Sequence, residues 1–280
     1  MTVDFIYNFL SDLLPGFLGN DLLVILAMLI PFFALFGFIT VYGFGVIYAE
    51  LKVSSFIQDK TGPMGQGYGF HAGKWGFLQP VADGLHLFFK EDIIPATADK
   101  PLFIFAPFLI FIGMFVGIIA IPFGEAIIIS DMNIGIFYIL GIGSLAVIAL
   151  ILAGWSSNNK WALYGGMRSA AQIISYEIPA GLSLIVVILL ASSLSMQEII
   201  SYQSGGMFNW IIFDNPFMPI AFIIFFISAL AETNRTPFDL PESESELVAG
   251  FVTEYSGARY AFFFLSEYVN MFVISAVAAT

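Results

Sequence analysis

Five uncharged stretches constrain this chain more than any other feature: Leu22–Ala49, Pro101–Gly124, Met132–Asn159, Ile178–Gln197 and Asn215–Ala231. A helix needs roughly 20 apolar residues to cross a bilayer, so each stretch is a candidate span, with the last on the short side. A sixth apolar run, Tyr260–Thr280, is interrupted only by Glu267. Hydrocarbon offers the backbone no hydrogen bonds, so runs of this length are expected to be helices that pair their own amides. Of 280 residues, 59% are hydrophobic and 11% charged. Soluble domains hold about 45–50% apolar and about 25% charged residues, which excludes a water-soluble fold. The expected fold class is all-α: a polytopic membrane helical protein with about six transmembrane helices plus an interfacial amphipathic helix. One membrane domain, 1–280, is expected, with spans near 22–48, 102–123, 133–155, 162–192, 215–231 and 256–280 and inner loops at 50–100 and 232–255.

The bases give an orientation. Lys52, Lys60, Lys74, Lys90 and Lys100 follow the first span; Lys160 and Arg168 lie between the third and fourth; Arg235 and Arg259 lie between the fifth and sixth. With alternating spans, all nine bases fall on one side, which the positive-inside rule places in the cytoplasm or an organelle matrix. The N-terminus is then outside. Its opening, MTVDFIYNFLSDLL, has no positive region, so no cleaved signal peptide is expected. The absence of an internal repeat argues against an inverted-repeat transporter.

Composition removes other classes. A net charge of −12 opposes nucleic-acid binding. With no Cys, the chain carries no disulfide and no cysteine-ligated cluster, and two His residues, His71 and His86, are too few for paired bis-His haems. No redox centre is expected on this chain. By the same topology the acids divide into twelve in inner loops, seven outside, and two, Glu177 and Glu267, within the membrane.

Within the first inner loop, WGFLQPVADGLHLFFK (75–90) places Gln79, Asp83, His86 and Lys90 at helical spacing, with Trp75, Leu78, Ala82, Leu85, Phe88 and Phe89 over much of the other side. A wet stripe opposite a greasy face predicts a helix lying on the membrane. The alternative is a helix packed inside the protein. The preceding GPMGQGYG is a Gly-rich turn without the form of a phosphate-binding loop.

The loop between the fifth and sixth spans holds Glu232, Asp239, Glu242, Glu244, Glu246 and Glu254 against Arg235 and Arg259. Glu242 and Glu246 share a face of a helix; Glu242, Glu244 and Glu246 share one if the segment is extended. A solvated acidic loop is the plain reading. Interleaving with Phe238, Leu240, Leu247, Val248 and Phe251 favours a packed cluster instead. Carboxylates that crowd and lose hydration favour their protonated forms, which suits proton handling. Two acids lie deeper. Glu267 is thirteen residues past Glu254, roughly 20 Å along a continuous helix. Glu177 is nine residues beyond Arg168, roughly 14 Å. Pro179 takes the usual donor from the Ser175 carbonyl and is expected to bend that helix. A carboxylate at mid-membrane costs about 2.5–3.5 kcal/mol on insertion scales, so both are functional candidates, the alternative being a structural pair with an Arg or Tyr.

These residues carry a resemblance. AETNRTPFDLPESESELVAGF (231–251) followed by EY, AQIISYE (171–177) and GFLQPVADGLHLFFKEDIIP (76–95) closely resemble the H-type subunit of proton-pumping NADH–quinone oxidoreductase, respiratory complex I, over nearly the whole chain. The mitochondrial counterpart is the first hydrophobic subunit. The resemblance implies a subunit that docks the peripheral arm onto the membrane arm, encloses much of the quinone chamber, and couples quinone reduction to proton translocation. It implies proton-path carboxylates at Glu177, Glu232, Glu254 and Glu267, and an acidic loop of Asp239, Glu242, Glu244 and Glu246 beside the chamber. Glu50, Arg168, Arg235 and Arg259 are the expected supporting charges. The 75–90 helix, with the first and sixth spans, would frame the opening for a lipid-soluble quinone.

No cofactor is expected on the chain itself. Quinone is the substrate, and NADH, FMN and iron–sulfur clusters belong to partner subunits. Expected partners are the peripheral-arm iron–sulfur and quinone-site subunits, small membrane subunits leading to antiporter-like ones, and the bilayer. A bacterial plasma membrane is the expected location, ahead of the mitochondrial inner membrane. Two customary arginines read Leu51 and Lys60; Lys60 keeps the charge without Arg's fork, and Leu51 keeps neither. Family members usually continue for about two further membrane helices, so either a partial chain or a variant whose last helices are lost is expected. Two alternatives stay open: the related subunit of a membrane-bound hydrogenase, and a stand-alone proton-coupled transporter.

Overall fold

The structure, a computed structural model, describes residues 2–13, 20–63, 75–124, 128–241 and 244–280. In chain order the helices are α1 (Thr2–Leu13), α2 (Asn20–Ile57), α3 (Gln79–Phe89), α4 (Lys100–Gly117), α5 (Gly135–Ser156), α6 (Lys160–Ala191), α7 (Met196–Tyr202), α8 (Ile211–Asp214), α9 (Met218–Glu232), α10 (Glu244–Leu247) and α11 (Gly257–Ala279). No strand occurs among the described residues. Among the described residues, five helices are long and apolar enough to cross a membrane: α2, α4 with its 3₁₀ continuation to Ala120, α5, α6 and α11. With its apolar composition, the chain is an all-α, multi-pass membrane protein.

Local chemistry sets the helix ends. α2 runs well past the hydrophobic stretch and stops where Asp59 turns left-handed (φ 54°). There Lys60 N donates to Ser55 O at 2.8 Å and Asp59 N to Phe56 O at 3.1 Å, a Schellman motif that satisfies the last carbonyls. α4 ends early because Ile121 precedes Pro122 and adopts extended geometry (φ −80°, ψ 123°). Asn159 caps α6, its side chain accepting from Trp161 N at 2.9 Å. α6 continues unbroken through Pro179. At 15 residues, α9 rises only about 22 Å and starts with Pro219 in its first turn.

The chain divides into two compact units. One comprises Ile94–Tyr255 with Val269–Thr280 and the first two residues; the other comprises Val3–Ile93 with Ser256–Tyr268. In the first, α4 packs on α5, α5 on α6 and α6 on α9, while the 3₁₀ turn Gly250–Val252 packs on α5 and α6. Glycine allows backbones to meet. A Cβ at Gly166 would lie 2.8 Å from Leu150 O, and one at Gly165 only 2.5 Å from Gly250 Cα. Phe103 and Tyr255 stack at 4.1 Å nearby, and Tyr255 Oη donates to Phe103 O at 3.2 Å.

In the second unit α3 packs on α2: the Phe44 ring lies 3.4 Å from where a Gly84 Cβ would be, and Tyr48 Oη donates to Trp75 O at 2.8 Å. The predicted interfacial helix begins at Gln79, with Pro80 in its first turn, rather than at Trp75. Leu85, Phe88 and Phe89 are exposed, as are Asp83, His86 and Lys90. Leu265 of α11 approaches Gly43 of α2. The segment after α3 is clipped to the start of α11, where Ser256 Oγ accepts from Ile93 N and donates to Glu91 O, each at 3.2 Å.

Candidate functional site

The site grows from the way α9 ends. Asn234 takes a left-handed conformation (φ 50°), Arg235 N donates to Leu230 O at 3.1 Å, and Asn234 N donates to Ala231 O at 3.3 Å. This is a second Schellman motif, and it turns the chain out of the helix immediately after Glu232. Gln172 of α6 grips the turn: its Nε2 donates to Ala231 O at 2.8 Å, Asn234 Oδ1 at 3.1 Å and Phe238 O at 2.8 Å. Asn234 Nδ2 also donates to the buried Ser169 Oγ at 3.4 Å. Four residues past Gln172, the Tyr176 ring meets Phe238 edge-on at 5.3 Å.

Glu232 and Glu177 line one small cavity of about 40 Å³. Its walls come from α4, α5, α6, α9 and the last part of α11, and are apolar apart from these two carboxyls and Asn270. Glu232 reaches toward α5, its Oε1 lying 3.9 Å from where a Gly143 Cβ would be. At about 10–15 Å³ for each water, a cavity of this size has room for about two to four, and its polar groups supply partners.

Farther along the loop, Arg168 Nη1 donates to Glu246 Oε2 at 2.6 Å, with both side chains about half exposed. Glu246 lies in α10, so residues 244–247 form one helical turn and not the extended segment considered from sequence. Glu242 and the Glu244 side chain lie outside the described residues. Asp239 is exposed and Arg235 half-buried. Glu254 Oε1 accepts from Asn159 Nδ2 at 2.6 Å, so the residue that caps α6 also holds a carboxylate.

In the other unit, Tyr268 Oη donates to Glu50 Oε2 at 2.8 Å and Arg259 pairs with Asp92 at 3.2 Å. Glu267 sits half-buried on α11, next to Tyr268. Within one unit, then, Glu177 joins Glu232 and Arg168 joins Glu246, while Glu254 has its own donor. Sequence reasoning missed Gln172, Asn159, Asn270, Tyr268 and Asp92 as partners. Neutral amides and a phenol give no charge signal, although Gln172 stands inside the AQIISYE string and Tyr268 beside Glu267.

Comparison with known proteins bears on what this arrangement serves. The chain is 49% identical over 276 residues to the H-type subunit of NADH-quinone oxidoreductase from Chlorobaculum tepidum, a match covering 96% of this chain and 74% of that one. It is 44% identical to the corresponding protein of Geobacter sulfurreducens, covering 94% and 78%. With the corresponding protein of Bacillus mycoides it shares 50% identity over 245 residues, covering 88% and 69%. The sequence model described as NADH dehydrogenase matches residues 28–280. The chain belongs to the NADH dehydrogenase family, among the relatives named as the H-type subunit of NADH-quinone oxidoreductase.

Proposed function

We propose that this chain is the membrane-arm subunit of a proton-translocating NADH–quinone oxidoreductase, forming much of the quinone chamber and coupling quinone reduction to proton movement. It works as one subunit of a multi-subunit enzyme. The observation that carries the reading is the cavity shared by Glu177 and Glu232, joined through Gln172 and Arg168 to the acidic loop. A carboxyl pair with room for water can receive and release a proton. The family relationship supplies the quinone.

In this reading the quinone head is reduced with electrons drawn from iron–sulfur partners, and NADH and FMN are handled by subunits of the peripheral arm. What this chain contributes is electrostatic. Charge appearing in the chamber acts on Asp239, Glu242, Glu244 and Glu246. Arg168 holds Glu246 in place, with Arg235 beside the loop. Glu232 and Glu177 pass the change inward, and Glu254 and Glu267 extend the proton path. Glu50 and Arg259 steady the chamber's surroundings through Tyr268 and Asp92. Six spans near 22–48, 102–123, 133–155, 162–192, 215–231 and 256–280 put the nine bases on the inner face of a bacterial plasma membrane, with the N-terminus outside.

The test is pull-down of the tagged chain from solubilised membranes, followed by mass spectrometry. Iron–sulfur subunits, small membrane subunits and antiporter-like subunits are the expected partners. Recovery of the chain alone, with transport activity in liposomes, would overturn the reading in favour of a stand-alone transporter.

A further inference from the structure

Arg168, Gln172 and Tyr176 recur every fourth residue of α6 and share one face of the helix. Each touches the segment that follows α9, through Glu246, through the 231–238 turn and through Phe238 respectively. Gln172 is the middle contact and has the densest set of bonds. Its amide has two hydrogens for three acceptors, so the carbonyls of Ala231 and Phe238, both at 2.8 Å, take one each, and Asn234 Oδ1 shares at 3.1 Å. Ala231 directly precedes Glu232, and Phe238 directly precedes Asp239. One side chain therefore pins the backbone on both sides of the segment that carries Glu232.

We propose that Gln172 is a positioning residue whose two amide hydrogens clamp the backbone before Glu232 and before Asp239, so that a shift of the acidic loop displaces the Glu232 carboxyl in its cavity. This rests on the coupling role given to Glu177 and Glu232 above. It adds the mechanical link. Beside the through-space electrostatic effect, a carboxyl senses a loop through covalent or hydrogen-bonded backbone, and Gln172 ties the two ends of 231–238 to one point on α6.

The test uses the assembled complex in inverted membrane vesicles, measuring NADH:quinone reductase activity and protons moved per quinone reduced across a range of pH. Gln172→Met keeps length and volume but has no donor. It is expected to lower the proton ratio severalfold at every pH, with quinone KM unchanged. Gln172→Glu offers one hydrogen when protonated and none when ionised. Its ratio is expected to lie between wild type and Gln172→Met in acid, where one hydrogen holds one of the two carbonyls, and to fall to the Gln172→Met value as pH rises, in a single-proton step. The neighbouring titratable groups are Arg168, Tyr176 and Glu177 on α6, Glu232 on α9, and Arg235 and Asp239 on the loop. Wild type and Gln172→Met, which keep those groups, provide the baseline for the step.

A normal ratio in Gln172→Met and a flat profile in Gln172→Glu would overturn the proposal, as would reduced yield of both variants with an unchanged ratio. Should Gln172→Met fail to assemble, the profile of Gln172→Glu decides alone. Glu177→Gln in the same vesicles separates the two claims. Impaired Glu177→Gln with normal Gln172 variants removes only the clamp; a normal Glu177→Gln removes the coupling reading itself.

Discussion

Arg168 Nη1 lies 2.6 Å from Glu246 Oε2, joining α6 to the helical turn α10 with both side chains about half in solvent. Exposed ion pairs contribute about 0–1 kcal/mol, so this contact adds little stability and mainly holds Glu246 in place. Arg168→Ala is expected to leave the melting temperature of the purified complex nearly unchanged and to lower quinone reductase turnover severalfold. Arg168→Lys, which keeps charge without the fork, should recover only part. Parallel calorimetry and turnover assays check this. A large loss of stability would show that the pair is a fastener.

Gly165 gives a packing prediction. A methyl there would sit 2.5 Å from Gly250 Cα and 2.6 Å from Phe251 N, so two backbone segments would have to part. Overpacking of this kind costs about 1–3 kcal/mol, and backbone atoms yield less readily than side chains. Gly165→Ala is expected to reduce the amount of assembled complex on native gels. Gly181→Ala, where nothing lies within 4 Å, should leave it unchanged.

Asn159 holds two partners with one amide: Oδ1 accepts from Trp161 N at 2.9 Å, and Nδ2 donates to Glu254 Oε1 at 2.6 Å. Asp and Asn cap helices about equally well, so Asn159→Asp keeps the cap. It also exchanges a donor for an acceptor against Glu254. Asn159→Asp is therefore expected to impair quinone reductase activity more than Asn159→Ser, although a capping scale alone ranks them alike. Turnover at matched assembly levels is the measurement.

Much of this architecture was legible because hydropathy and helix-ending residues act locally. Each uncharged run overlaps a helix, and Asp59 and Asn234 end α2 and α9 by a conformation that Asp and Asn adopt more readily than most residues. Boundaries were less legible. α2 reaches Ile57, since hydropathy marks where polar residues begin and not where helical hydrogen bonds stop. Among the site acids, the two deep candidates were visible as charges in apolar surroundings. That Glu177 meets Glu232, some fifty residues later, depends on α6 packing against α9, and no local pattern encodes that pairing. Gln172 was invisible for a different reason: a neutral amide at one site among several similar polar residues acquires its meaning only from three acceptors brought to it by the fold.

Tyr268 and Glu50 offer a test in the second unit. Tyr268→Phe removes a donor at 2.8 Å from Glu50 Oε2, worth about 1 kcal/mol, and Glu50→Gln weakens the same bond. The two changes are expected to be non-additive, the double variant losing no more quinone affinity than the worse single one. A double-mutant cycle on quinone KM gives the answer, with full additivity showing that the residues act independently.

Glu177 and Glu232 are expected to act as one protonic unit in the cavity they share. The most direct test is proton translocation per NADH oxidised in inverted membrane vesicles carrying Glu177→Gln or Glu232→Gln, with assembly verified on native gels. Each variant is expected to assemble and to lose most of its coupled quinone reduction, and the double variant to be no worse than either alone. Wild-type translocation in both fully assembled single variants would contradict the account.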